Sequence, residues 1–169
     1  VFYLDDLSTV GLEDSYGYAY TGGDVHFSST LYSADDAFSQ GDGPMTVLHE
    51  TLHSLGFEHP FELGDNNSET LSEQENSTEF TLMSYNFDDL AKTDDLRVFD
   101  LAALHYNYGV NTSQRSGNDV YTFNAFNRGT SDGGIYVWDG AGVDTFDAAS
   151  AEAGVTVNLT PGSWNYIGE

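Results

Sequence analysis

Residues 49–60 read HETLHSLGFEHP, and this stretch places three of the chain's five histidines within eleven positions. His49 and His53 are four residues apart, so on a helix both side chains project from one face and can hold the same metal ion. Gly56 suits a left-handed helix end, and the turn that follows can return His59 as a third ligand. Three neutral imidazoles and one open position are typical of a catalytic zinc site rather than a closed structural one.

Glu50 stands beside His49, where it is badly angled to join both histidines as a ligand but close to a water on the same ion. We expect Glu50 to be a general base that takes a proton from a zinc-bound water whose pKa the ion has lowered. The alternative is a pair of core histidines beside an unrelated loop histidine. It is disfavoured because the pattern H-E-x-x-H-x-x-G-x-x-H specifies five positions in a segment that also has helix signals.

The residues around this motif predict a helix over 43–56, GPMTVLHETLHSLG. Asp42 or Gly43 caps it, Pro44 suits its first turn, and the glycine at its end suits its stop. Apolar residues recur at spacings of three and four, which predicts one buried stripe. The members of the stripe are Met45, Leu48, Leu52 and Leu55.

The remaining pattern predicts a mixed α/β domain over 1–110 and the beginning of an all-β module over 111–169. Short apolar segments between turn signals predict strands at 1–4, 16–20 and 24–29. A second helix is predicted over 98–109. After residue 110 the sequence changes to short β segments with Gly/Asp/Asn turns, at 116–123, 133–147 and 154–159.

The chain is strongly acidic, with 28 Asp and Glu against four Lys and Arg, a net charge of −24. Such a surface repels phosphate backbones and anionic membranes, so we expect no nucleic-acid partner. No run of about 18 apolar residues occurs, so we expect no membrane span. The chain has no cysteine, which fits a secreted protein that uses bound metal for stability and equally fits an intracellular protein.

The segment HETLHSLGFEH resembles the zinc signature of the metzincin metalloproteases, in which a Met-turn follows the third histidine. Downstream, TLMSYN (81–86) is similar to the Met-turn of the serralysins in particular. The resemblance implies that Met83 forms the hydrophobic floor beneath the zinc site. It also implies that Tyr85 approaches the ion, either as an additional ligand or as a mobile hydrogen-bond donor to the oxyanion.

The serralysin resemblance implies a secreted, extracellular zinc endopeptidase. Its substrate would be a polypeptide, bound extended on an edge strand by backbone pairing, as in other metzincins. We expect His26, in GGDVHFSS (22–29), to be an exposed or packed residue on that edge strand. His105 lies on the second predicted helix without a metal-binding neighbour in the sequence, and we expect it to be structural.

The C-terminal part resembles the entry to the calcium-binding β-roll of the serralysins, through RSGNDVYTF (115–123) and YVWDGAGVDTFD (136–147). In relatives a calcium ion lies between two such loops, and hard oxygen ligands on Gly/Asp loops suit calcium. A second ion sharing two of these ligands, Gly142 and Asp144, is a further expectation. The side-chain role of Asp119 stays open, because relatives often use a backbone oxygen there. The resemblance implies these ligand positions: Arg115, Gly117, Asp119, Asp139, Ala141, Gly142 and Asp144.

The chain also departs from the serralysin pattern at its ends. Serralysin catalytic domains begin with a helix and strands upstream of VFYLDD, and the β-roll continues into repeated G-G-x-G-x-D turns that this sequence lacks. We therefore expect a protease core truncated at both ends. A missing N-terminal segment or a proteinaceous inhibitor is accordingly an expected partner.

Two other functions stay open on the sequence. One is a calcium-stabilised binding or adhesion module that retains the zinc site without turnover. The other is a matrixin-like protease, because GGDVHFSS is similar to a matrixin stretch whose histidine holds a structural zinc. The companion His-x-Asp motif of the matrixins is absent from this sequence.

Overall fold

The structure, a computed structural model, describes residues 1–34, 42–64, 68–87, 96–122, 137–163 and 165–168. It divides into two compact units, Val1–Asp100 and Leu101–Glu169. Parts of the predicted β segments at 116–123 and 133–147 lie outside the described residues. The assignment of a catalytic domain to 1–110 and a β-roll to 111–169 stays a prediction.

The first unit contains a three-stranded mixed sheet. Its strands are β1 (Phe2–Asp5), β2 (Gly17–Ala19) and β3 (Val25–Ser28), in the order β1-β3-β2. Strand β3 runs parallel to β1 and antiparallel to β2. The expectation that His26 lies on an edge strand is therefore wrong, because β3 pairs with a neighbour on both sides. Within the described sheet, β1 and β2 are the edges.

Helix α1 (Gly43–Ser54) contains the first two motif histidines and packs against β2 and β3. Asp42 is its N-cap residue without a side-chain cap hydrogen bond, and the helix carries a proline in its first turn. After the helix, Gly56 adopts a φ of 93° and donates its N–H to the His53 carbonyl, while Phe57 donates to the Leu52 carbonyl. This pair of bonds is a Schellman motif, which confirms the glycine stop that the sequence predicts.

The predicted apolar stripe of α1 is only partly right. Leu52 is buried, whereas Leu55 is exposed and Met45 and Leu48 are half-buried. Two polar residues, Thr46 and Glu50, occupy buried positions instead. The physical reason is that the sheet lies close to this polar face of the helix. The Thr46 hydroxyl lies 3.0 Å from the Tyr32 hydroxyl, and the Glu50 side chain lies against the backbone of β2 at Gly17.

The hydrophobic core of the first unit centres on β3. Val25, Phe27 and Tyr32 form a buried cluster, against which Ala19 of β2 and Val47 of α1 pack. Alternate residues of β3 thus face the helix, as the period of a strand requires. This packing holds α1 at the sheet surface and so determines where the motif histidines lie.

A turn segment and a second helix complete the part of the first unit that bears on the motif. Residues 81–84 are buried, and Phe99 at the start of helix α2 (Val98–Tyr108) donates its N–H to the Phe80 carbonyl at 3.0 Å. Gly109, with a φ of 82°, follows the end of α2, as predicted.

The second unit contains two small sheets. Strands β4 (Val120–Thr122) and β5 (Thr145–Asp147) pair in parallel, and β6 (Val155–Thr156) pairs antiparallel with β7 (Tyr166–Ile167). The observed helices and mixed sheet agree with the predicted mixed α/β class, while the β-roll stays a prediction. Within the described ranges, no helix is long and apolar enough to cross a membrane.

We predict that Phe27→Ala lowers the free energy of unfolding by about 3–5 kcal/mol, because the ring is 1% exposed and its removal leaves a cavity between β3 and α1. Urea denaturation at fixed metal concentration measures the loss. Phe87→Ala is the matched control, since that ring is 66% exposed and its loss should change stability by about 0.5 kcal/mol or less. Equal losses in the two variants would contradict the position of the core.

Candidate functional site

The three motif histidines converge on one point. His49 and His53 lie one turn apart on α1, and the Schellman turn at Gly56 reverses the chain so that His59 faces them. The Nε2 atom of His59 lies 3.3 Å from Nε2 of His49 and 3.1 Å from Nε2 of His53. Within the described residues this is one of two clusters of ligand atoms that could hold a metal ion.

The other ring nitrogens of these histidines all face acceptors. Nδ1 of His49 lies 2.8 Å from the Leu82 carbonyl, and Nδ1 of His53 lies 2.8 Å from the Phe57 carbonyl. Nδ1 of His59 lies 3.2 Å from a carboxylate oxygen of Glu62. A carbonyl can only accept a hydrogen bond, so Nδ1 of the first two histidines must carry the proton. Their Nε2 atoms then present lone pairs to the same point.

This donor set fits zinc. Imidazole nitrogen is a common zinc ligand, and a ligating histidine almost always donates its second N–H to a carbonyl, carboxylate or water. Burial lowers the pKa of His49 to about 4 and also lowers the pKa of His53. Both rings are therefore neutral at pH 7, as metal binding requires.

Glu50 is buried next to the histidine cluster. Its Oε2 atom has no hydrogen-bond partner among the described residues, and burial raises the pKa of this carboxyl to about 7. Strand β2 passes directly over it, since a Cβ placed on Gly17 would lie 2.9 Å from Cγ of Glu50. The site thus contains a carboxyl group that can gain or lose a proton near neutral pH, which suits a general base.

The turn segment supplies the two further residues that the resemblance implies. Met83 is buried, and its N–H donates to the Thr81 hydroxyl at 3.1 Å. The Tyr85 ring is 56% exposed and lies 4.5 Å from the His59 ring and 5.8 Å from the His49 ring, measured between centroids. Burial of the hydroxyl, together with nearby carboxylates, raises the pKa of Tyr85, so its phenol keeps its proton at neutral pH.

Asp100 belongs to no motif of the sequence, and the structure places its carboxylate against this turn. Its carboxylate accepts hydrogen bonds from the Thr81 hydroxyl at 2.6 Å and from the Leu82 N–H at 3.0 Å. The carboxyl group is buried, and Asp100 is the last residue of the first unit. The available signal was one acidic residue within the otherwise apolar run VFDLAAL (98–104). Burial of an acid at such a position calls for partners that only the fold reveals.

The second cluster lies in the second unit, on the two loops that the serralysin resemblance predicts to bind calcium. Carboxylate oxygens of Asp119, Asp139 and Asp144 lie within 4.8 Å of one another. Oδ2 of Asp119 is buried and has no hydrogen-bond partner within the described residues, which fits a cation. The loops touch at Gly142, whose φ is 135° and where a Cβ would lie 1.7 Å from the Gly117 carbonyl oxygen. Only glycine fits there.

The remaining predicted calcium positions lie on the same loops but have other contacts. Arg115 has a φ of 45°, and its guanidinium lies 5.7 Å from the centre of the Tyr121 ring. The Ala141 N–H donates to the Asp139 carboxylate at 3.1 Å, and the Tyr121 hydroxyl donates to that carboxylate at 2.5 Å. The carboxylates are thus brought together, while the roles of the backbone oxygens of Arg115 and Ala141 stay predictions.

The two histidines outside the motif have aromatic neighbours. His26 stacks on the Tyr18 and Tyr3 rings of the flanking strands, at 4.6 Å and 5.0 Å, and its Nδ1 lies 2.5 Å from the Asp5 carboxylate. His26 is half-buried in the sheet, which agrees with the expectation of a packed residue rather than an exposed one. His105 lies 4.0 Å from the Trp138 ring, measured between centroids.

Comparison with known proteins finds similarity to serralysins. The serralysin of Proteus mirabilis is 32% identical over 86% of this chain and 34% of its own length. The serralysin of Photorhabdus sp. (strain Az29) is 28% identical over 93% of this chain and 38% of its own length. Serralysin C of Dickeya chrysanthemi is 32% identical over 77% of this chain and 31% of its own length. No family model matches the chain.

The chain is serralysin-like. This confirms the resemblance that the motif HETLHSLGFEH and the turn TLMSYN predict. The chain spans about a third of the length of these curated relatives. Its similarity to them agrees with the histidine cluster that fits zinc.

We predict that Gly56→Ala weakens zinc binding, because an L-residue at a φ of 93° is strained. Relief of this strain displaces both the Phe57 carbonyl and His59 from their positions in the site. Zinc affinity is measured by competition with a chromophoric chelator. Gly11→Ala is the matched control, since Gly11 also has a positive φ, 77°, but follows the short helix Leu7–Val10. Both variants should lose about 1–2 kcal/mol of stability. Equal zinc affinity in the two would contradict a role of the Gly56 turn in the site.

Proposed function

We propose that this chain carries the active site of a zinc-dependent endopeptidase of serralysin type. The observation that supports this most directly is the convergence of three Nε2 atoms beside a buried carboxyl group, two of them on neutral rings that carry their proton on Nδ1. His49, His53 and His59 hold the ion. Bound zinc supplies a Lewis acid that polarises the substrate carbonyl and lowers the pKa of a water.

Glu50 transfers the protons of the reaction. Its carboxylate accepts a proton from the attacking water while the water oxygen forms a bond to the carbonyl carbon. The same carboxyl then delivers that proton to the amide nitrogen, and the C–N bond breaks to release an amine and a carboxylic acid, whose remaining proton passes to the amine to give a carboxylate and an ammonium group. A pKa near 7 suits both halves of this transfer, because the group neither holds nor releases the proton too strongly.

Tyr85 stabilises the oxyanion in this proposal. Its phenol stays protonated at neutral pH and lies over the histidine cluster, so it can donate a hydrogen bond where negative charge develops. Its exposure leaves it accessible to a substrate. Direct binding of the phenol oxygen to zinc is the alternative role. Met83, a buried residue of this turn, forms the floor of the site.

The substrate in this proposal is a polypeptide that binds extended along strand β2. In the described sheet β2 is an edge, and it passes over Glu50, so a chain paired with its outer backbone groups lies next to the catalytic carboxyl. This replaces the strand that carries His26, which is central. The absence of a side chain at Gly17 lets the strand approach the helix closely at this point.

Calcium binding and an extracellular location belong to the same proposal. The cluster of Asp119, Asp139 and Asp144 supplies hard oxygen ligands of the kind that calcium prefers. The serralysin resemblance, the acidic surface and the absence of cysteine agree with a secreted protein that uses metal rather than disulfides for stability. We further propose that a proteinaceous inhibitor is a partner.

The two alternative functions make different predictions about metal. A binding or adhesion module with a retained zinc site would depend on calcium for its fold but would not hydrolyse peptides. A matrixin-like protease would hold a structural zinc at His26. The neighbours of His26 are two tyrosine rings and one aspartate, which is a poor ligand set for zinc, so the serralysin-type function is favoured.

We predict that the zinc-loaded chain cleaves an unfolded protein substrate, measured by release of fluorescent fragments, and that Glu50→Ala does not. The variant keeps the three histidines, so it should still bind zinc at near-parental affinity. Loss of cleavage with retained zinc would support the role of Glu50 as the base. A parental chain that binds zinc without cleaving would instead favour the binding-module alternative.

We predict that calcium at 100-fold over its Kd stabilises the parental chain by about 2.7 kcal/mol, because it binds the folded state alone. Asp119→Asn should lose most of this stabilisation, measured by urea denaturation with and without calcium. Asp147→Asn is the matched control, since that carboxylate accepts a hydrogen bond from the Ala149 N–H and lies outside the cluster. An equal response of the two variants to calcium would contradict the site.

A further inference from the structure

The buried carboxylate of Asp100 organises the turn that contacts the histidine cluster. It is 4% exposed and accepts three hydrogen bonds. Oδ1 accepts from the Thr81 hydroxyl at 2.6 Å, and Oδ2 accepts from the N–H groups of Leu82 at 3.0 Å and Arg97 at 2.8 Å. Two of these donors belong to the turn, and the third belongs to the residue that precedes helix α2. The carboxylate therefore joins the turn to the start of the helix.

The same turn orients one of the histidines. Leu82 donates its N–H to Asp100, and its carbonyl accepts from Nδ1 of His49 at 2.8 Å. The Leu82 backbone is thus held at its N–H by the Asp100 carboxylate, and its carbonyl holds the His49 imidazole. The Thr81 hydroxyl adds a second connection, because it donates to Asp100 and accepts from the Met83 N–H at 3.1 Å.

We propose that Asp100 is a positioning residue of the zinc site, acting through Leu82 to hold His49 as the Nδ1–H tautomer with Nε2 turned toward the ion. This rests on the proposed function, in which His49 is a zinc ligand. Asp100 does not touch the ion or the substrate. It fixes the acceptor that decides which nitrogen of His49 carries the proton.

The surroundings explain why a carboxylate occupies this position. An ionised carboxylate offers only acceptors, which match the three donors that face it, and hydrogen bonds to a charged acceptor are roughly twice as strong as neutral ones. The nearby Arg97 side chain is fully buried and donates from Nε to the Thr78 carbonyl at 2.9 Å. This hydrogen bond connects the residue before helix α2 to the chain just before the turn. Loss of the carboxylate would leave three buried donors without this acceptor.

The test compares Asp100→Ala and Asp100→Asn with Ser84→Ala. Ser84 is a buried residue of the same turn whose hydroxyl donates to Asn76 Oδ1 at 2.7 Å and accepts from the Asn86 N–H at 3.1 Å. It therefore controls for a general loss of stability in the turn. The asparagine variant keeps the side-chain shape and carries the test if the alanine variant does not fold, which circular dichroism establishes.

The first measurement uses metal-free protein with ¹⁵N-labelled histidine, and NMR reports the tautomer of His49. The parental chain and Ser84→Ala should show the Nδ1–H form. The Asp100 variants should show a mixture with the Nε2–H form, because the Leu82 carbonyl is no longer held. An Asp100 variant that folds and keeps the parental tautomer overturns the inference.

The second measurement is zinc affinity by competition with a chelator. We expect the Asp100 variants to bind zinc about 10–100-fold more weakly than Ser84→Ala, the range typical of residues that orient a metal ligand. Equal affinity in all variants overturns the inference while leaving the proposed activity intact. A parental chain that binds no zinc overturns the proposed function, and the tautomer measurement then still decides the role of Asp100.

Discussion

The site depends on two hydrogen bonds from imidazole Nδ1 atoms to main-chain carbonyls. They join His49 to Leu82 and His53 to Phe57, each at 2.8 Å. Because a carbonyl has no proton to give, each bond decides the tautomer of its ring and so leaves the other nitrogen with a free lone pair. The lone pairs of His49 and His53 lie 3.3 Å and 3.1 Å from Nε2 of His59, so the three nitrogens converge on one point where a metal ion can bind them.

Each of the two carbonyls is placed by a local device of the backbone. The Schellman motif after α1 turns Phe57 back toward His53, and it requires the positive φ of Gly56. The turn at 81–84 brings the Leu82 carbonyl to His49 from more than thirty positions along the chain. The Schellman motif is part of the histidine motif itself. The turn at 81–84 depends instead on the packing of a separate segment, where the Leu82 N–H donates to the carboxylate of Asp100.

Burial has opposite consequences for the acids and the histidines of the site. It lowers the pKa of His49 and His53, which keeps both rings neutral, and it raises the pKa of Glu50 toward neutrality. One environment thus favours ligands that can bind metal and a carboxyl that can exchange a proton near neutral pH. The acid cluster of the second unit differs, because Asp119, Asp139 and Asp144 meet on loops where their charges favour a bound cation.

The sequence by itself determined the parts of the site that depend on local geometry. The spacing of His49 and His53 and the glycine that follows are properties of one helix and its end, so the helix and the return of His59 could be predicted. The loops with Asp119, Asp139 and Asp144 were found from the serralysin resemblance of the sequence, because Gly/Asp composition alone indicates only a turn. The tertiary structure alone decided the order of the strands, which makes β3 central, and the burial of Thr46 and Glu50 where an apolar stripe was expected. It also decided that Asp100 lies beneath the turn that orients His49. The physical reason is that strand order, helix rotation and the partners of a buried acid depend on contacts between segments far apart in the chain, which no local pattern records.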